Sequence, residues 1–586
     1  MKKIICIFGL FVLFTNCSDV LDIEDINHYS PESVWNDENL ANAYMINLYP
    51  MFGNWNAGSD RLSQQLAGIE WYPNRITISN DNFKNWDYNR IRLINQAIVD
   101  VESGTLPQEI KNRITGEALF MRAYTYFDMV MYHGGVPYVK VPQDRYEDDL
   151  YVSRNSTQEC FTFIEEDMDR AIELLPESIG TGSDDYGRID ADFALAFKAK
   201  VLLYKASPQF NPSQPWDNPY WSEAHAANKK AYETLMGHGY ELVEDYSNIA
   251  LEERNKEVVF SVINSYPNKT ASWDSGVRPG SESRGPASAC PTWEFVKQFP
   301  MKDGRLYNDP LSAYTMTEEE FLQNYWQNRD PRFDKSIVWN GKTYEVSGKS
   351  GKRQYTALGI ANELDDFGVN PNANTNSTNL DRYTGFFIQK NSLLNLTQAE
   401  VEQYDVDYVL MRFAEVMLNY AETANETGNS PVALNILKRI RERAGIEPGA
   451  DGNFGISAST REEIREAILA ERNIEFCFEG HRFWDLRRLR LLDRLDGTDK
   501  HGVEAIAINS EGSEMPISTA RSLADDYALD ESDFKYSTLQ VPLSGVKQSS
   551  LPDNYYFFPI QADVINRNPK LEQNEGWGGS FDPTLD

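Results

Sequence analysis

Cysteine is scarce in this chain of 586 residues: five are present, at positions 6, 17, 160, 290 and 477. No two share a C-x-x-C or other paired spacing, which excludes a disulfide framework and a cysteine-ligated zinc site. Histidine is nearly as rare, at six, and no H-E-x-x-H occurs, so a zinc hydrolase has no support. The nucleophile elbow G-x-S-x-G and the P-loop are absent as well. Basic residues are in deficit: 56 Lys+Arg stand against 89 Asp+Glu, a formal charge of −33. Phosphate binding needs a basic footprint, so a nucleic-acid partner is excluded. Apolar runs are short, and none approaches the roughly 20 residues that span a bilayer.

What is present begins at the N-terminus. Lys2 and Lys3 precede an apolar run from Ile4 to Phe14, too short to span and typical of a secretory signal. No A-x-A cleavage site follows. Cys17 stands there instead, with Asn16 where a small residue is usual, and the arrangement resembles a lipoprotein box. Residues 1–16 are therefore expected to be removed and Cys17 to carry lipid. Two or more acyl chains anchor stably, at ~0.8 kcal/mol per buried CH₂. Ser18, Asp19, Asp22, Glu24 and Asp25 form an acidic tether, resembling the export tag of some bacterial surface lipoproteins.

Beyond the tether the pattern is mostly helical. Apolar residues recur at helical spacing over 86–103 (Ile91, Ile94, Ile98, Val101) and 109–135 (Ile110, Ile114, Ala118, Met121), the latter stopped by Gly134 and Gly135. Further helices are expected at 157–175, 190–206 and about 222–238. From about 239 to 400 the text breaks into short strands such as "EVVFSVIN" and loops rich in Gly, Asn, Ser and Pro. Helices return at 405–427, then in "VALNILKRIRERA", with Ser430 as cap, Pro431 in the first turn and Gly445 as stop. A last pair covers 461–480 and 481–495, and the tail is mostly loop. Helix pairs recurring at about 34 residues or more point to a repeat-like helical scaffold.

Several stretches together resemble the SusD/RagB family of outer-membrane nutrient-binding lipoproteins. They are the Cys17 start, "RIRLINQAI", "ITGEALFMRAYTYFDMVMYHGGVPYV", "PTWEFVKQFPMKDG", "VLMRFAEVMLNYAE", "ALNILKRIRERAG", "AILAERNIEFCFEGHRFWDLRR" and "YYFFPIQADVINRNPKLEQNEGW", in order along nearly the whole chain. The resemblance implies a mostly α fold, a right-handed superhelix of tetratricopeptide-like helix pairs with a loop-rich irregular insertion. It implies one domain over 17–586, with scaffold at about 86–238 and 405–495 and ligand-binding loops at about 239–400 and 50–80. It implies a lipid-anchored protein on the outer face of a Gram-negative outer membrane. Such a protein binds oligosaccharide and passes it to a SusC-like TonB-dependent transporter. No catalysis and no cofactor are implied.

Sugars present flat C–H faces and a rim of hydroxyls, so exposed aromatic rings beside amides, carboxylates or guanidinium groups are the features to seek. "EWYPNR" offers Trp71, Tyr72, Asn74 and Arg75 at a proline turn. "SWDSGVRPGSESRG" offers Trp273, Asp274 and Arg278. Trp293 in "PTWEF" and Trp55 in "NWNAG" complete the set. Trp216 and Trp221 belong to an inter-helix connection and read as packing; Trp86 and Trp484 lie on helical faces and read as core. An enzyme is the competing reading, since a glycosidase needs two carboxylates about 5–10 Å apart. Glu475, Glu479, Asp485 and His481 cluster in sequence, but Arg482, Arg487 and Arg488 beside them point to structural ion pairs. A lid that binds peptide or another nutrient is the remaining alternative. Asp365 and Asp366 are weak calcium candidates, because their spacing does not match an EF-hand. Cys477, in an apolar helical context, is expected to be a buried small hydrophobe.

Overall fold

Helices form where apolar residues recur every three or four positions and a polar side chain closes the first turn. A computed structural model describes residues 31–68, 75–80, 83–283, 287–344, 352–357, 360, 383–496, 499–541 and 551–586. Helices α1 (Glu38–Ile46), α2 (Tyr88–Ser103), α3 (Gln108–His133), α4 (Thr157–Leu174), α5 (Ala191–Ala206) and α6 (Tyr220–Gly237) follow one another. Asp87 caps α2 through Arg90 N, Ser156 and Glu159 form a reciprocal capping box on α4, and Asp190 caps α5 through Phe193 N. α3 stops at Gly134, whose φ is +77°. A Cβ there would lie 2.4 Å from Pro583 Cβ, so only glycine fits.

From α2 to α6 each helix packs on the next. The chain then leaves the stack and returns as α7 (Phe413–Glu426), α8 (Ser430–Ala444), α9 (Arg461–Glu475) and α10 (Arg482–Arg488). α7 packs on α5 and α6 as well as on α8 and α9, so the stack continues across the excursion. The fold is mostly α, a tetratricopeptide-like superhelix of helix pairs.

The excursion holds β1 (Val258–Val262), β2 (Ile337–Val338), β3 (Phe387–Ile388) and β4 (Tyr408–Arg412). β1 runs antiparallel to β4, with Val258 opposite Arg412, and so closes the neck of the excursion just before α7. The helix expected from 405 therefore begins at 413, because residues 408–412 complete the β1 ladder instead. α9 ends at Glu475 and not near 480, since Phe478 turns the chain at φ +61°. The last helix, expected over 481–495, stops at Arg488 and is followed by a short 3₁₀ turn at Leu492–Leu495. α8 starts at Ser430 itself, with Asn429 in the cap position, and Gly445 ends it in the left-handed region. The tail, expected as loop, contains the antiparallel pair β5 (His501–Ala507) and β6 (Phe534–Gln540).

Two large hydrophobic cores result. One gathers the apolar faces of α2 to α9. The other lies within the excursion and is built on aromatic rings, among them Trp55, Trp273, Trp293, Phe386 and Tyr536. Between them runs a buried ionic network. Arg412 contacts Glu257 (2.7 Å), Glu475 (2.7 Å) and Glu479 (2.9 Å). Arg332 pairs with Asp330, Glu471 and Glu475; Arg443 with Glu257 and Glu475; Arg441 with Glu471; and Lys390 with Glu479. Burial opposes ionisation of Glu479, but Arg412 and Lys390 outweigh it and hold its carboxyl down at about 2. Glu475 is likewise held well below the carboxylate range, by Arg443, Arg412 and Arg332 against its burial.

Removing one partner of a buried ion pair strands the others. Arg412→Met is therefore expected to cost about 3–5 kcal/mol, read as a fall in the urea midpoint. Glu471, Glu475 and Glu479 have depressed folded pKa values, so their stabilisation is present above about pH 4.5 and is lost as pH falls toward 2. Asp60, Asp190 and Asp407 are each pushed up to about 7 by burial. Their contribution is full below pH 3.8 and lost as pH rises through 7. Thermal melting across pH is expected to give a higher Tm at pH 5 than at pH 8, and a steep fall below pH 4.

Candidate functional site

The tryptophans expected to be exposed plates are core residues. Trp273 is 3 % exposed, sits 5.6 Å from Trp55, and donates Nε1 to Lys390 O at 3.2 Å. Trp55 is also buried and donates to Val406 O at 3.1 Å, with Tyr408 edge-on at 5.1 Å. Trp293 lies nearly parallel to Phe321 and Phe386, with Tyr325 edge-on. Asp274 and Arg278, expected at a glycan, instead pair with each other at 2.6 Å and are both fully buried. Arg278 also donates to Leu393 O at 2.8 Å. Trp55, Trp273 and Arg278 close on partners more than a hundred positions away, and Trp293 closes on rings from elsewhere in the excursion. None of the three rings offers a free face for stacking.

Trp71, Tyr72 and Asn74 lie outside the described residues, as do Cys17, Asp365 and Asp366. The flanks of the 71–74 segment are well fixed. Before it, Ala67 N donates to Cys290 O at 3.0 Å, and Lys500 Nζ donates to Leu66 O at 2.7 Å. After it, Asn80 Nδ2 donates to Arg75 O, and Ile76 N donates to the Tyr555 hydroxyl at 3.1 Å. Ile78 O then accepts from Ala562 N, the first residue of α11 (Ala562–Arg567), and Lys84 pairs with Asp563 at 3.0 Å.

Val564 and Arg567 of α11 line a groove of about 390 Å³. Trp86, Tyr88, Gln143, Tyr151 and Asn568 line it too. Trp86 packs against the scaffold core as expected but is only half-buried, and its ring lies 5.3 Å from that of Tyr88. Asn568 Nδ2 donates to Val152 O at 2.9 Å, and Lys570 pairs with Asp149, so the 149–152 loop is tied to the C-terminal segment. Tyr151 is 50 % exposed; with Tyr146 (85 %) and Tyr266 (52 %) it is among the exposed aromatics of the described residues. The sequence signal for the groove was a tyrosine in "EDDLYVSR" beside acids, which tryptophan-centred reasoning passes over.

The carboxylates that resembled an acid/base pair are structural. Glu475 and Glu479 are neutralised in the network already described, and Asp485 pairs with Arg472 (2.8 Å) and Arg488 (2.9 Å). His481 is half-buried, and desolvation pushes its pKa down to about 4. Cys160, Cys290 and Cys477 are free and buried. Among the described residues no cluster of His, Cys, Asp and Glu could hold a metal.

Comparison with known proteins decides the family. A model of the SusD family matches residues 256–577, and a second, described as starch-binding associating with outer membrane, matches residues 21–203. The chain belongs to the SusD family. It is 23% identical over 518 residues to the SusD-like protein P38 of Formosa agariphila, covering 81% of this chain and 88% of that one. A SusD-like protein of Bacteroides fragilis superposes with a TM-score of 0.71 at 24% identity, covering 93% of this chain and 99% of the other. A SusD-like carbohydrate-binding protein of the same organism gives 0.70 at 20% identity, covering 92% and 100%. At these identities the superpositions establish the SusD fold alone.

Within that SusD scaffold the buried tryptophans act through packing. Trp273→Ala is expected to cost about 3–5 kcal/mol of stability, measured as a drop in the denaturation midpoint. Any ligand affinity of the fraction that remains folded should be unchanged.

Proposed function

We propose that this SusD-family chain is a surface lipoprotein that binds neutral oligosaccharide and delivers it to a SusC-like TonB-dependent transporter in the outer membrane. The observation that carries the binding half is the groove of Tyr151, Trp86 and Tyr88. It offers flat rings beside the amides Gln143 and Asn568, in a volume within the usual range for small ligands. Trp71, Tyr72 and Asn74, outside the described residues, stay candidates for the same ligand on their sequence alone. A chain of charge −33 repels polyanions at long range, which favours uncharged glycans. The family description that associates residues 21–203 with starch binding and the outer membrane supports the location. Lipid on Cys17, with the acidic tether behind it, supplies the anchor.

The chemistry is capture, not turnover. Rings stack on C–H faces, amides and hydroxyls bond the sugar rim, and the conspicuous acids are already neutralised by arginine. Titration calorimetry of the protein against a panel of plant, algal and host polysaccharides is expected to show saturable binding without new reducing ends; release of products would overturn the reading. Tyr151→Ala and Trp71→Ala should each weaken binding by about 3- to 10-fold with Tm unchanged. Cys17→Ala should abolish fatty-acid labelling and release the protein from membranes.

A further inference from the structure

The run "HRFWDLRRLRLLDRL" (481–495) holds five arginines against two aspartates. Four of the five have partners. Arg487 donates to the carbonyls of Met131, Tyr132 and Tyr555, and Arg488 meets Glu422 and Asp485. Arg494 holds both oxygens of Glu466, at 2.7 and 2.9 Å, and Arg490 lies over the Tyr556 ring at 4.1 Å. Arg482, the first residue of α10, has no ion pair or hydrogen bond with any described residue, and its Nη1 is buried. The carboxylates nearest to it are spent elsewhere: Asp485 on Arg472 and Arg488, and Glu466 on Arg494. Burial pushes the pKa of Arg482 down to about 10, so it is still a cation at neutral pH.

This guanidinium lines a cavity of about 250 Å³ between α9 and the 298–306 segment. The other charges of the lining cancel. Arg441 meets one oxygen of Glu471 at 2.7 Å and Arg332 meets the other at 2.7 Å, while the Arg494–Glu466 pair stands toward solvent. Pro300, Leu306, Leu469 and Ile474 supply apolar wall. Leu306 is 43 % exposed, an aliphatic side chain held at the rim. A buried charge without a counter-ion is costly, and native proteins rarely keep one. A planar guanidinium matches a carboxylate, which it grips through two parallel N–H donors. The cavity therefore joins one unspent cation to a hydrocarbon wall.

We infer that this cavity is an anion site for a small aliphatic carboxylate, with the carboxylate on Arg482 and the hydrocarbon against Leu306, Leu469 and Ile474. A free branched acid and the last residue of a short peptide present this same group. The site shares no residue with the groove around Tyr151 and does not depend on the glycan reading.

The test uses the whole chain with isovalerate, 4-methylpentanoate, acetylglycyl-leucine, the C-terminal amide of that dipeptide, and sulfate. Binding is read by calorimetry and saturation-transfer NMR. At least one of the three carboxylates is expected to saturate, and the amide is not. Arg482→Gln should weaken that binding about 10- to 100-fold without lowering Tm, because it removes an uncompensated charge. Ala470→Leu, from an exposed position of α9 on the cavity wall, should weaken it about 10-fold or more by filling the apolar space and leaving the charge in place. If Arg482→Gln fails to fold, Ala470→Leu carries the test with the same panel. Tyr151→Ala should leave carboxylate binding unchanged, which separates this site from the groove. Tighter binding of the free acids or of the dipeptide upholds the site and identifies its source. The inference is wrong if no carboxylate saturates, if the amide binds as tightly as the acid, or if neither variant changes the affinity. Sulfate binding as tight as that of the acids would mean an adventitious ion only and would overturn it too.

Discussion

Arg412 sits where this chain is most easily pulled apart. A long excursion leaves the helical stack after α6 and returns at α7, and the ladder at its neck is the five-residue β1 against β4. So short a pair is marginal by itself. Arg412 ends β4 and reaches Glu257 beside β1, Glu475 at the end of α9 and Glu479 in the turn beyond. Phe413 N also donates to Glu257 O at 2.7 Å. One guanidinium thus joins both strands of the neck to the last helices of the scaffold. Burying ions is costly unless each is compensated. Here five cations (Arg332, Lys390, Arg412, Arg441, Arg443) meet five anions (Glu257, Asp330, Glu471, Glu475, Glu479).

With the neck held ionically, the excursion can carry a core of its own. Trp293, Phe321, Tyr325, Phe386 and Tyr536 pack ring on ring there, and β5 and β6 close against them. Aromatic content that looks like a binding surface in the sequence is largely consumed by this second core. What remains for a ligand is a smaller number of tyrosines at rims, among them Tyr151 and Tyr266. Their hydroxyls tolerate water and their rings still offer a face.

This explains which parts were legible in advance. Helix α3 announces itself through Ile114, Ala118 and Met121 on one face and a double-glycine stop, all local signals. The pairing of Asp485 with Arg488 was readable too, because the two stand three positions apart on one helix; its second partner, Arg472, comes from the preceding helix and was not. The burial of Trp273 was not. Its neighbours in sequence are Ser, Asp and Gly, and the groups that cover it are Trp55 and Lys390. Strand β4 failed for a similar reason: "YVLMRF" suits helix or strand, and only β1, more than a hundred residues earlier, decides. β5 and β6 alternate in burial but stand in a tail whose loops dilute the pattern.

A single rule of charge placement runs through scaffold, neck and cavities. Much of the excess acid is exposed, while most of the buried arginines meet a carboxylate at short range. Arg188 is spent on Glu117, Arg278 on Asp274, Arg488 on Glu422 and Asp485. Apart from the cavity at Arg482, the recesses therefore inherit walls of ring, amide and hydroxyl. At physiological ionic strength, fields from the surface acids fade over roughly 8 Å, so contact chemistry decides what binds once a ligand has arrived. That chemistry is matched to molecules rich in hydroxyls and poor in charge. Because it uses few ionisable groups, such a wall offers a ligand many weak contacts, each readily undone.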